Sequence, residues 1–258
     1  MRRMLLLLAV CVLPAAAPAL SDLGNFAFDQ KLGNQVPLAI FFRDESGETV
    51  RLADFIHGMP AILVLGYFHC PNLCGIVRDD LFSALQRTGM VAGRDYTLVA
   101  FSIDPRETSE DAREARQQDV ARYTAPGAVG AWHFLTGNLS AVEAIEHAVG
   151  FRSRFDPALK QFLHPAGIVF ITPHGVISSY ILGVGYNAGD VRLGVTRASS
   201  GSIAAKALPV LLLCFHFDAT TGRYTLAIMK LVRLAGALTV LTIGTTLFLA
   251  FRRERRRP

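Results

Sequence analysis

Thioether and thiol side chains are scarce in this chain of 258 residues, which carries five methionines and four cysteines. Two of the methionines, Met1 and Met4, and one cysteine, Cys11, lie in an N-terminal stretch that reads as removable. Only Met59, Met90 and Met229 then remain, which excludes a methionine-rich site for a soft metal ion. A real excess of positive charge is also lacking. The formal charge is +5, but seven of the 26 Lys and Arg residues (Arg2, Arg3, Arg252, Arg253, Arg255, Arg256, Arg257) sit at the two ends. Without them and Glu254, 19 positive side chains face 20 negative ones, so no nucleic-acid partner is implied. There is no internal repeat and no low-complexity tract. What lies between the ends is about 200 residues, one domain's worth of chain that can bury a full core.

The ends point to a compartment. Residues 1–19 have two arginines, an apolar stretch from Met4 to Leu13 and a small-residue cleavage signal at Ala17-Pro18-Ala19, the layout of a secretory signal peptide. Val10 before Cys11 fits a lipoprotein signal poorly. At the other end, residues 226–251 read as a transmembrane helix, since Leu234 to Phe251 holds no charge and spans about 27 Å at the helical rise. The basic tail 252–258 marks the cytoplasmic side. The expected arrangement is a C-terminal anchor in a bacterial-type inner membrane, with the main domain, residues 20–200, in the periplasm and residues 201–225 as a juxtamembrane linker.

Within the main domain, Leu38 to Phe42 and Thr49 to Leu52 read as a hairpin, and the apolar runs Ala61 to Phe68 and Tyr96 to Ile103 as strands buried on both faces. Helical stripes follow each run, over Cys74 to Thr88 and over Asp111 to Tyr123 after a Thr108 or Ser109 cap. Trp132 to Leu135 is a short strand. Ser140 is expected to cap a helix to Val149 with Glu143 in the capping-box position, and Phe151 to His164 reads as a loop. Gly167 to Ile171 and Val176 to Tyr180 form a second hairpin around Thr172-Pro173-His174-Gly175, and Ala188 to Ala198 a last helix. That order calls for an α/β fold with a mixed sheet flanked by helices, a thioredoxin-like arrangement.

The chemistry centres on Cys70-Pro71-Asn72-Leu73-Cys74, where a buried strand gives way to a helix. A helix N-terminus favours thiolate, and a sheet edge leaves it reachable. Three intervening residues, rather than the two of the usual redox pair, place the second sulfur about one helical turn on, a spacing that suits clamping a soft metal ion. A static structural disulfide is the alternative, disfavoured because closing so short a loop removes little chain entropy. A third ligand is available in His164, held by Pro165 just before the strand Gly167 to Ile171, with a surface histidine as the plainer alternative.

Taken together, Gly66-Tyr67-Phe68-His69-Cys70-Pro71-Asn72-Leu73-Cys74, the run Phe101-Ser102-Ile103-Asp104-Pro105-Arg106-Glu107-Thr108, the Leu135-Thr136-Gly137 step and the late His164 resemble the Sco/SenC family of copper-binding, thioredoxin-fold assembly factors. The resemblance covers Leu38 to Ala198. It implies a metallochaperone rather than an enzyme, binding a copper ion through Cys70, Cys74 and His164 and delivering it to the CuA centre in subunit II of cytochrome c oxidase. The other function it implies is reduction of that subunit's cysteines by a thiol-disulfide reductase, for which Cys70 and Cys74 would be the redox pair. A sensor acting through protein contact is a third reading. The copper donor and the thiol reductant are not specified by the sequence. Two positions depart from the family pattern: Asn72 replaces an aspartate, and Gly75 stands where a proline commonly follows the second cysteine. His69 is expected in the surroundings of the site at most, and His57, His133, His147 and His174 as surface or packing residues. Cys214-Phe215-His216, outside the resemblance, reads as a packed membrane-proximal segment or as a further copper or partner contact.

Overall fold

The computed structural model describes residues 28–56, 58–69, 74–157, 160–206, 236–246 and 252. The chain divides into two units, Leu20–Phe215 and a second comprising Met1–Ala19 with His216–Pro258. In the second unit the described residues include a helix over 236–246. Most of the span read over 226–251 falls outside the described residues, as do the signal peptide and Cys214-Phe215-His216. Among the described residues no helix is long and apolar enough to cross a membrane.

The main unit is built on a five-stranded mixed sheet. Its strands are β3 (Ala61–Gly66), β4 (Thr97–Ser102), β5 (Trp132–Leu135), β8 (Gly167–Ile171) and β9 (Ile177–Leu182), in the order β5-β4-β3-β8-β9. β3, β4 and β5 run parallel, while β8 is antiparallel to both β3 and β9. Alternation along each strand assigns side chains to two cores. Ile62, Val64, Leu98, Ala100, Ile168 and Phe170 point into one, covered by α1 (Cys74–Gln86), α2 (Ser109–Arg122), the short α3 (Ala128–Ala131) and α5 (Ala188–Ser199). Leu63, Leu65, Val99, Phe101, Val169 and Ile171 point into the other, covered by α4 (Leu139–Val149) and the 3-10 turn Leu52–Phe55. In the first core Trp132 is fully buried and stacks on Phe82 at 4.2 Å. At Gly194 on α5 a Cβ would stand 2.6 Å from Cζ of Phe170, so only glycine lets this helix approach β8 so closely.

The first hairpin pairs β1 (Phe41–Arg43) with β2 (Thr49–Arg51), as expected. Two expectations are corrected. The residues from Phe151 to His164 are not simply a loop, because β6 (Arg154–Asp156) and β7 (Gln161–Leu163) pair antiparallel within them. α4 begins before Ser140, because the Asn138 side chain accepts a hydrogen bond from the Ala141 amide at 2.9 Å and caps the helix one residue before Leu139. Beyond α5 the chain lies along the edge strand β9: Ala204 N–H donates to the Ser178 carbonyl at 2.8 Å, and the Ser178 hydroxyl donates to the Ser202 carbonyl at 2.6 Å. Together with Gly33 and Asn34, which exchange hydrogen bonds with Ile177, this covers the start of the edge strand.

One buried acid makes stability depend on pH. Burial pushes Glu146 on α4 up to about 7, and the negative charge of Glu143 adds to this while the Ser153 hydroxyl, donating at 2.6 Å, opposes it. The folded chain therefore holds a proton here that the unfolded chain releases above the ordinary carboxyl value of 4.5, so this group's stabilising contribution is present below 4.5 and is lost as pH rises towards 7. Denaturant midpoints at about pH 5 and about pH 8 should fall more steeply for wild type than for Glu146→Gln; equal slopes would contradict the assignment.

Candidate metal-binding site

The site forms where β3 ends. Gly66 pairs with Ser102, and the last bond of that ladder runs from the Ile103 amide to the Gly66 carbonyl at 2.8 Å. Tyr67 and Phe68 are buried beyond it, and His69 is exposed. Cys70 and residues 71–73 lie outside the described residues; the chain resumes at Cys74, the first residue of α1, whose side chain is likewise outside them. The backbone thus confirms the expected strand-to-helix junction on either side of the thiol loop.

His164 comes to this same end of the sheet for a topological reason. β8 runs antiparallel to β3, pairing Val64 with Ile168, so the residues that lead into β8 lie beside those that leave β3. His164 is 4 % exposed, which removes the surface reading. A small cavity of about 10 Å³ is lined jointly by His164, by Gly66 and Phe68 before the thiol loop, and by Val77 and Arg78 after it. The ring stacks on Phe151 at 5.7 Å and meets Tyr67 edge-on at 6.0 Å. Its Nδ1 lies 3.0 Å from the Pro165 carbonyl oxygen. A carbonyl can only accept, so this contact assigns the proton to Nδ1 and the lone pair of the neutral ring to Nε2. Burial lowers the pKa below the ordinary histidine value, outweighing the Pro165 hydrogen bond. The imidazole is therefore neutral at pH 7, the form that ligates metal.

Charged groups frame the loop on two sides. On one, Arg78 Nε donates to Asp119 on α2 at 2.9 Å, and its guanidinium stands over the rings of Phe68 (5.7 Å) and Phe134 (5.9 Å). On the other is the turn after β4. Asp104 accepts from Arg106 at 2.6 and 2.8 Å; burial acts upward on its carboxyl, but the Arg106 hydrogen bonds and charge hold it below the usual range. Glu107 accepts from the backbone amides of Phe68 and His69 at 2.8 and 2.7 Å, a contact that sequence pattern does not reveal. The His69 ring faces the carboxylates of Asp111 (3.4 Å), Glu107 (3.8 Å) and Glu114 (3.8 Å). An open cleft of about 400 Å³ beside it is lined by Tyr67, Asp104, Arg106, Lys160 and Phe162. A larger cleft of about 570 Å³, between β1 and the starts of α2 and α4, reaches neither His69 nor His164.

Two thiols and a neutral imidazole form a donor set suited to copper, and His164 is neutral and stands at the end of the sheet from which the thiol loop departs. Among the described residues no group of three or more His, Cys, Asp or Glu side chains could hold a metal ion, the cysteine sulfurs not being among them. His133 and His174 belong to β5 and to the turn between β8 and β9, away from this cluster, and His147 to the last turn of α4. His57 lies outside the described residues.

The SCO1/SenC family model matches residues 38–189. A search of curated proteins returned no match. Among solved structures, a candidate electron transfer protein from Aquifex aeolicus VF5 is 26 % identical, covering 67 % of this chain and 96 % of its own, with a TM-score of 0.57. Arabidopsis thaliana ScoI, crystallised with copper bound, is 17 % identical over 66 % of this chain and 99 % of its own, with a TM-score of 0.52. BsSco, described as a member of the Sco family of cytochrome c oxidase assembly proteins that has a disulfide switch, is 19 % identical over 66 % and 97 %, with a TM-score of 0.50.

Proposed function

Because the chain belongs to the SCO1/SenC family, we propose that it is a membrane-tethered metallochaperone whose cargo is a copper ion. Cys70, Cys74 and His164 bind the ion and pass it by ligand exchange to the CuA centre of subunit II of cytochrome c oxidase. The observation that carries this reading is His164, a buried, neutral imidazole lining one cavity with the residues that flank the thiol loop. An exchange reaction between thiols and disulfides does not require such a group, whereas a copper ion held by two thiolates accepts it as a third ligand. That copper is bound by Arabidopsis ScoI agrees with this reading.

Tethering by residues 226–251, with the main domain in the periplasm, raises the effective concentration of the site near a membrane oxidase. The described chain past α5 runs beside the start of β9, the pole of the sheet opposite the end of β3.

Transfer is the test. Copper-loaded reduced chain mixed with a purified, metal-free CuA domain whose cysteines are already reduced should give one copper on the acceptor and an unloaded chain with both thiols still reduced. If copper stays behind while the chain reduces an acceptor presented with a disulfide, the protein is instead a thiol-disulfide reductase.

A further inference from the structure

Phe68 and His69 lie past the last paired residue of β3, so no strand supplies acceptors for their amides. A single carboxylate does so instead. Glu107 Oε2 accepts from Phe68 N–H at 2.8 Å and from the Ser102 hydroxyl, and Oε1 accepts from His69 N–H at 2.7 Å. The side chain is only 8 % exposed, and a buried carboxylate is costly unless its oxygens are satisfied by donors, as these are. Glu107 is itself rigidly placed. Its amide closes a turn onto the Asp104 carbonyl at 3.0 Å, Arg106 locks Asp104, and the next residue, Thr108, caps α2 in a reciprocal box with Asp111.

We propose that Glu107 is a positioning residue for the copper site: it takes the place of a missing strand and fixes the backbone that leads directly into Cys70. The inference rests on the copper reading above and deepens it. Both carboxylate oxygens are engaged by protein donors, so Glu107 holds the loop and does not ligate the ion. With the backbone of Phe68 and His69 fixed before copper arrives, less of the chain that enters the thiol loop has to be ordered on binding.

The test compares wild type, Glu107→Gln and Glu107→Ala as full-length reduced chains. Cu(I) affinity is read by competition with a chromophoric chelator, and backbone amide exchange is read in the metal-free chain. Glutamine keeps one acceptor oxygen and should weaken affinity severalfold, whereas alanine should weaken it by about 10–100-fold, the scale on which outer groups support metal ligands. Exchange at Phe68 and His69 should rise in both variants, with β4 and β8 unchanged. A purely structural role would lower the melting temperature and leave affinity unchanged, which overturns the proposal. If Glu107→Ala does not fold, wild-type exchange decides: slow exchange at Phe68 and His69 supports the clamp, and exchange at the rate of free chain refutes it. A wild-type chain that binds no copper removes the chaperone reading, while the exchange experiment still reports whether Glu107 holds the loop.

Discussion

Changing His164 to alanine should weaken Cu(I) binding by about 100-fold or more, since even groups that merely support a ligand are worth about 10–100-fold. The remaining two thiolates can still hold the ion, so binding is weakened rather than abolished. The fold should survive, with a cost of about 1–2 kcal/mol. The variant loses ring contacts with Phe151 and Tyr67 and the hydrogen bond to the Pro165 carbonyl. Its pH behaviour separates the ligands. Burial keeps the His164 pKa below 6.5, so above that pH protons compete for the thiols alone. Affinity should therefore rise with pH in wild type and variant in parallel above 6.5, offset by a constant factor. Competition with a chelator across pH measures both, and curves that converge at high pH would mean that His164 is not a ligand.

The largest effect on stability is expected at Arg78. Its side chain is 13 % exposed and that of its partner Asp119 is 7 % exposed, so neither charge is solvated. Burial pushes the Asp119 carboxyl up and Arg78 pulls it back without fully restoring it. Arg78→Ala leaves the carboxylate alone in the interior and should cost about 3–5 kcal/mol in denaturant unfolding. Asp119→Asn should cost less, because the guanidinium keeps its places over Phe68 and Phe134. Replacing both by apolar residues, Arg78→Met with Asp119→Leu, should recover most of the loss. A loss under about 1 kcal/mol for Arg78→Ala would place the pair among exposed ion pairs. The pair matters to the site because Arg78 lies one turn beyond Cys74 and Phe68 two residues before Cys70, so both flanks of the thiol loop are tied to α2.

What the sequence revealed follows from the strength of each local signal. β3, β4 and β8 are near-continuous apolar runs buried on both faces, and such runs are hard to misread. The placement of His164 also followed from topology, since an antiparallel β8 beside β3 brings its leading residues to the end of β3. The β6–β7 hairpin did not show, because Arg-Phe-Asp and Gln-Phe-Leu are three-residue strands with at most half-buried faces. At α4, Asn138 and Ser140 are both good caps, and the Ser140–Glu143 spacing is the more familiar signal; the chain uses Asn138 because its Oδ1 reaches the Ala141 amide. Glu107 was inside a recognised motif but its role was not visible. Its partners are backbone amides 38 and 39 residues away, and contacts to backbone leave no trace in side-chain periodicity. The available hint was an acid in a turn that immediately follows a fully buried strand, where a charge needs a reason to be.

X-ray absorption on the reduced, full-length chain loaded with one equivalent of copper tests the central claim most directly. Two sulfur ligands and one nitrogen, with the nitrogen lost in His164→Ala, is the predicted result. A copper ion bound by sulfur alone, or a spectrum that is the same in the variant, would contradict it.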